Sequence, residues 1–231
     1  MDSKIVTSET IHERMRQWPL FIGLSPSDLM EIAANVRFYF HKHERNSLIT
    51  KSGQRYTALR MIISGGVVVE RKAPDNIYSI SEELSTPIII EPEQLYGRHQ
   101  KYFGSYIALT DCSSVEIPKT DVLRLTKRYE IVHINLLNIV STYTQNLQSV
   151  IWEIPEADIF SKIIHFVNHR SLCHKGRVRV KITMQQLANI IAESRLNTSK
   201  ALHALEREGL INMHRNMFEI ACYEKFASYK P

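Results

Sequence analysis

The sequence predicts an α+β chain in three parts: an antiparallel β-roll over 1–118, a long helix over 119–154 and a winged helix-turn-helix over 155–231. Three observations carry that expectation. From about 37 to 117, short β-branched and aromatic runs alternate with Gly, Pro and Asn; about thirty residues of helical repeat follow; two capped helices and a short hairpin close the chain. At 231 residues, two domains are the natural expectation, and 44% hydrophobic with 23% charged residues suits a folded chain with two modest cores.

Near the start, Ser25-Pro26-Ser27-Asp28 reads as a helix beginning: Ser25 caps, Pro26 takes the first helical position and Asp28 opposes the dipole. Leu29, Ile32, Ala33 and Val36 give that helix an apolar face, and an earlier short helix is expected around Ile11 to Trp18. The runs 59–63, 67–69 and 87–90 read as strands, with Gly65-Gly66 as a hairpin turn. Many short strands at this spacing suit an antiparallel roll or barrel.

After Lys119-Thr120-Asp121 the chain reads as one helix, along which Leu136, Val140, Tyr143, Leu147 and Val150 alternate spacings of four and three. This is a coiled-coil seam and implies a homodimer; the alternative is a helix packed on its own domain. Pro155 cannot continue the ladder, so Trp152-Glu153-Ile154-Pro155 reads as a hinge. Beyond it, Ile159, Ile163, Ile164 and Val167 form an amphipathic helix, and 177–181 alternates as a strand.

Thr183-Met184-Gln185-Gln186 is a capping box, followed by buried-face residues Leu187, Ala188, Ile190 and Ile191. Ser194 caps a second helix whose apolar side is Thr198, Ala201, Leu202 and Leu205, and Gly209 ends it. At 100° per residue, Leu196, Lys200, His203 and Arg207 lie opposite that side, with Ser199 and Ala204 beside them. The alternative for any one of them is an ordinary solvated face. Two short runs around His214-Arg215-Asn216 suit a hairpin wing.

Charge agrees with this placement. From 155 to 231 there are 12 Lys and Arg against 7 Asp and Glu, whereas the first 154 residues balance at 17 each. The whole excess of +5 lies where a polyanion would dock.

The C-terminal run Ile182-Thr183, Leu187-Ala188, Ser194-Arg195, Ser199-Lys200-Ala201-Leu202, Leu205-Glu206 and Gly209-Leu210-Ile211 resembles the Crp/Fnr regulators. The resemblance extends upstream through Pro19-Leu20-Phe21, Gly23-Leu24-Ser25, Ile63-Ser64-Gly65, Ala108-Leu109-Thr110 and Val115-Glu116-Ile117-Pro118. It implies a cyclic-nucleotide-binding-like jelly roll, a dimerisation helix and a second helix of the turn that enters the major groove of DNA. Double-stranded DNA, a second copy of the chain and RNA polymerase are then the expected partners. The expected DNA contacts are Thr183, Ser194, Arg195, Leu196, Asn197, Ser199, Lys200, His203 and Arg215.

Two departures stand out. Leu196 occupies the place where many members carry Glu, which removes an acceptor for a cytosine amino group. Ala192 stands where Gly is usual, so the turn either avoids positive φ or carries strain.

Aligned through Cys112 to Ile117, the family's phosphate-binding Arg-Ser pair becomes Tyr102 and Phe103, and its Gly-Glu pair falls near Glu91 and Pro92. Two aromatics cannot neutralise a phosphodiester, so cyclic AMP is not the expected effector. Arg98, His99 and Lys101 leave another anion open, and Tyr96, Tyr102, Phe103 and Tyr106 form either an apolar pocket or ordinary core. His41-Lys42-His43 leaves a metal or haem open, although no nearby cysteine or carboxylate cluster supports it and no metal ligand set is assigned. No cysteine precedes Cys112, so the family's N-terminal iron-sulfur site is not expected; Cys112, Cys173 and Cys222 read as reduced structural thiols.

No run approaches the roughly eighteen apolar residues of a membrane helix, and the first thirty residues lack a signal-peptide profile, so a cytoplasmic chain without a membrane partner is expected. There is no Gly-rich phosphate loop, nucleophile elbow or paired metal motif, and no enzyme is expected. The remaining alternatives are a nucleotide- or haem-responsive sensor of the same fold, and an interaction module whose winged helix contacts protein.

Overall fold

The computed structural model describes residues 13–151, 158–172 and 174–229, with backbone alone over 147–151. Ile11, the hinge residues Trp152 to Pro155, Cys173, and the seam side chains Leu147 and Val150 lie outside the described residues. In chain order the elements are α1 (Pro26–Asn35), β1 (Tyr39–His43), β2 (Leu48–Thr50), β3 (Ala58–Ser64), β4 (Val67–Lys72), β5 (Ser79–Leu84), β6 (Ile88–Ile89), β7 (Ser105–Ala108) and β8 (Cys112–Pro118). Then come α2 (Lys119–Arg128), α3 (Glu130–Ile151), α4 (Ile159–Asn168), β9 (Val178–Lys181), α5 (Met184–Ile190), α6 (Arg195–Arg207), β10 (Ile211–His214), β11 (Met217–Ile220) and α7 (Tyr223–Ala227).

The fold class is the one the sequence carries: an N-terminal region rich in antiparallel sheet, helices, and a C-terminal winged helix-turn-helix. The chain divides into two compact units, 1–67 with 85–103 and 107–144, and 68–84 with 104–106 and 145–231.

In the first unit an antiparallel sheet runs β1-β8-β3-β6. Ser25 caps α1 by accepting the Asp28 amide at 3.1 Å, and Leu29 and Ile32 bury its inner face. The Gly65-Gly66 turn joins β3 to β4 with Gly65 at φ 88°, and a Cβ on Gly65 would stand 2.4 Å from the Asp111 carbonyl. Between Ile62 and Ser64 the β3–β8 register shifts, a bulge that re-aims Ile63. The helical stretch from 119 is two helices, not one. Tyr129 leaves the helical region at φ −119°, ψ 106°, and its hydroxyl donates to Glu31 of α1 at 2.8 Å, which turns the chain before α3 starts.

In the second unit the strand order is β10-β11-β9-β5-β4-β7. The β4–β5 hairpin, which the sequence reading placed in the roll, groups with the C-terminal segment because β5 pairs antiparallel with β9, Ser79 opposite Lys181 and Glu82 opposite Val178. Ile80 joins the core of Ile163, Val167, Val178, Val180, Leu187, Leu202, Leu205 and Phe218. Alternation along a strand marks one buried face but not which strand lies beside it, so this pairing is absent from the pattern of residues.

Candidate nucleic-acid interface and effector cradle

The helix-turn-helix is fixed by local chemistry. Thr183 accepts the Gln186 amide at 3.2 Å, and Gln186 Oε1 accepts the Thr183 amide at 3.0 Å, completing the expected capping box on α5. Ser194 accepts the Asn197 amide at 3.1 Å and starts α6. The turn between them holds Ala192 at φ 54°, in the left-handed region, so of the two alternatives the strained one is realised.

Thr198, Ala201, Leu202 and Leu205 bury one side of α6, and Thr198 Oγ1 donates to the Ser194 carbonyl at 2.9 Å. The opposite side presents Arg195, Leu196, Asn197, Lys200, His203 and Arg207 to solvent, with Ser199 half-buried and Leu196 63% exposed. Arg195, Lys200 and Arg215 have no carboxylate partner among the described residues. Long cations held free of carboxylates on a rigid helix can donate to base edges or phosphates without first breaking an ion pair.

The wing is coupled to this helix by Glu206, which accepts the Met213 amide at 2.9 Å and lies 3.3 Å from His203 Nδ1. The Met213 hydrogen bond, followed by the His203 contact, holds the Glu206 carboxyl below its usual range. Glu206 was quoted in the sequence only as part of a motif; its coupling role depends on the hairpin folding back onto the helix. Arg215 sits exposed in the turn between β10 and β11, beside Asn216 at φ 57°.

Residues 161–229 match the Crp-like helix-turn-helix domain. The chain thus carries a Crp-like helix-turn-helix domain, which supports a DNA-binding transcription regulator of the Crp/Fnr type. Among curated proteins, it is 20% identical over 181 residues to the cAMP-activated global transcriptional regulator CRP of Haemophilus influenzae, covering 76% of this chain and 81% of that protein. Its fold is like that of the catabolite activator protein of Thermus thermophilus, with a TM-score of 0.51 at 20% identity over 90% of this chain and 98% of that one. It is also like that of a putative Crp/Fnr-family regulator from Eubacterium rectale, with a TM-score of 0.53 at 17% identity over 90% and 96%.

The five candidate pocket residues do not share one environment. Tyr96, Arg98 and Phe103 are exposed, Phe103 at 61%, whereas Tyr102 and Tyr106 are buried. The Glu91 carboxylate, near the position of the family's Gly-Glu pair, accepts the amide of Phe103, at the position of its phosphate-binding pair, at 2.7 Å. Glu91 itself is buried and held at φ 41°. Tyr102 packs on Tyr56 with ring centroids 4.8 Å apart, and Tyr56 donates to the Ile90 carbonyl at 2.9 Å. Burial pushes both phenols up, Tyr56 further than Tyr102. Tyr56 carried no signal in the sequence, being one aromatic among ten tyrosines.

His41 and His43 have ring centroids 6.2 Å apart. His43 Nε2 is engaged with Ser114 Oγ at 2.8 Å, and burial followed by the nearby Arg60 charge lowers its pKa. His41 lies 3.7 Å from Glu116. No group of three or more metal-ligating side chains occurs among the described residues, and no described helix is long and apolar enough to cross a membrane.

On α3, Leu136 is 7% exposed, so it has little surface left to give a partner; Val140 and Tyr143 are half-buried. Among the described side chains of that helix, the exposed large apolar ones are Ile131, Ile134 and Leu137.

Proposed function

We propose that the protein acts in the cytoplasm as a homodimeric, non-enzymatic regulator that reads DNA with Arg195, Leu196 and Lys200 and is not controlled by cyclic AMP. The observation that carries this reading is the free cationic face of α6, presented on a helix whose other side is wholly committed to the core. Arg195 donates a planar fork to guanine, Leu196 packs against a thymine methyl, and Lys200 serves base or phosphate. Thr183, Ser194, Asn197, Ser199, His203 and Arg215 supply backbone contacts, which position the domain without reading sequence.

Dimerisation follows from the apolar surface of α3 and from the two-fold sites that paired winged helices read. RNA polymerase is the partner through which such a dimer would change transcription. The effector assignment rests on Glu91: a carboxylate already accepts the amide a phosphodiester would need, and no cation replaces the family's arginine at Tyr102.

Selection of sites from a random duplex library tests the reading. A two-fold symmetric motif without added nucleotide is the expected result; no enriched sequence at low salt would overturn it.

A further inference from the structure

The first unit contains a cavity of about 780 Å³ away from the Glu91 and Tyr102 cradle, lined by Arg14, Gln17, Trp18, Phe40, His41, Lys42, Ile63, Ser64, Pro87 and Ser113. Its floor and walls come from the sheet. Lys42 on β1 stands opposite Ser113 on β8, which in turn stands opposite Ser64 on β3, so the three form a polar row across the strands. The bulge at Ile63 places an apolar side chain beside that row. Trp18, only 3% exposed, packs against Phe21, Phe38 and Phe40 at centroid distances of 6.0 to 6.4 Å and makes a rigid aromatic wall.

The charge is one-sided. Among the described residues no carboxylate lines the cavity, and Arg14 and Lys42 have no ion-pair partner; His41 leans toward Glu116. A space within the range of small-molecule sites, with an aromatic wall and two unpaired cations at its rim, matches a flat apolar body that carries one anionic group.

We propose that this cavity is a binding site for an aromatic carboxylate. The ring system stacks along Trp18 and Phe40, and the carboxylate receives Arg14 and Lys42.

Replacing Trp152, the other tryptophan of the chain, with Phe makes Trp18 the sole indole reporter. Titration of that protein with 1-naphthoate should quench its fluorescence saturably, and the neutral 1-naphthalenemethanol should bind more weakly. Arg14→Gln with Lys42→Gln should weaken naphthoate at least about tenfold, since one lost charge-assisted hydrogen bond alone is of that size, and leave the alcohol unchanged. Ser64→Trp, which fills the cavity from β3, should abolish binding of both probes, with the thermal midpoint reporting that the variant is folded. No saturable quenching, or quenching indifferent to the paired glutamine substitutions and to Ser64→Trp, would overturn the proposal.

Discussion

The Glu82 carboxylate, wholly buried on β5, accepts the backbone amide of Leu172 through both oxygens, at 2.8 and 2.9 Å, and pairs with Arg71 of β4. One side chain therefore ties the β4–β5 hairpin to the chain that follows α4. Arg170 adds to the tie by donating to the Tyr78 hydroxyl at 2.7 Å while stacking on Phe166. Glu82→Ala strands the Arg71 charge and the Leu172 amide together and should cost about 3–5 kcal/mol, read from urea unfolding. Arg71→Met with Glu82→Leu should recover part of the loss, because the Arg71 charge is then no longer stranded. A single-variant loss below about 1 kcal/mol, the value of an exposed pair, would contradict this account.

Local chemistry was legible in the sequence, and non-local pairing was not. The caps at Ser25, Thr183 and Ser194, the buried stripe of α6 and the turn at Gly65 depend on residues within a few positions of one another. The β5–β9 ladder, the turn of the helix at Tyr129 and the Glu91 to Phe103 hydrogen bond join distant segments, and no periodicity encodes them. The cationic face of α6 was readable because a helix of known phase fixes which side chains face outward. The four-three spacing through Leu136, by contrast, defines a stripe but not what packs on it, and Leu136 is buried within its own chain.

Ala192 sits in the left-handed region at a cost of about 1–2 kcal/mol for an L-residue, so Ala192→Gly should relieve it. Glycine gives back about 0.5–1 kcal/mol in unfolded-chain entropy, which leaves a net gain between roughly 0 and 1.5 kcal/mol. A raised urea midpoint is the expected outcome; a lowered one would mean that the turn adopts another conformation.

Glu206 links α6 to the wing, and its carboxyl is held low chiefly by the Met213 amide. For a carboxyl depressed on folding, the contribution is present above the unfolded pKa and is lost as pH falls through the folded one. Protection of the Met213 amide against hydrogen exchange should therefore hold at neutral pH and fall once Glu206 is protonated. In Glu206→Ala the protection should be low throughout. Equal protection in the two proteins would show that the wing is held by other contacts.

Calorimetric titration with cyclic AMP should give no saturable heat at physiological concentration, because Glu91 occupies the Phe103 amide and Tyr102 offers no cation. Saturable binding that is lost in Phe103→Pro, which removes that amide, would show that nucleotide displaces Glu91.

The central claim is that α6 reads bases while the wing holds phosphate, and site selection with the parent, Arg195→Ala, Leu196→Glu and Arg215→Ala tests it most directly. Arg195→Ala should cost about 1–3 kcal/mol at one base position, and Leu196→Glu should move preference toward cytosine. Arg215→Ala should weaken all sequences alike and reduce the salt slope by about one. Unchanged motifs in both the Arg195 and Leu196 variants would contradict the claim and assign base reading to another surface.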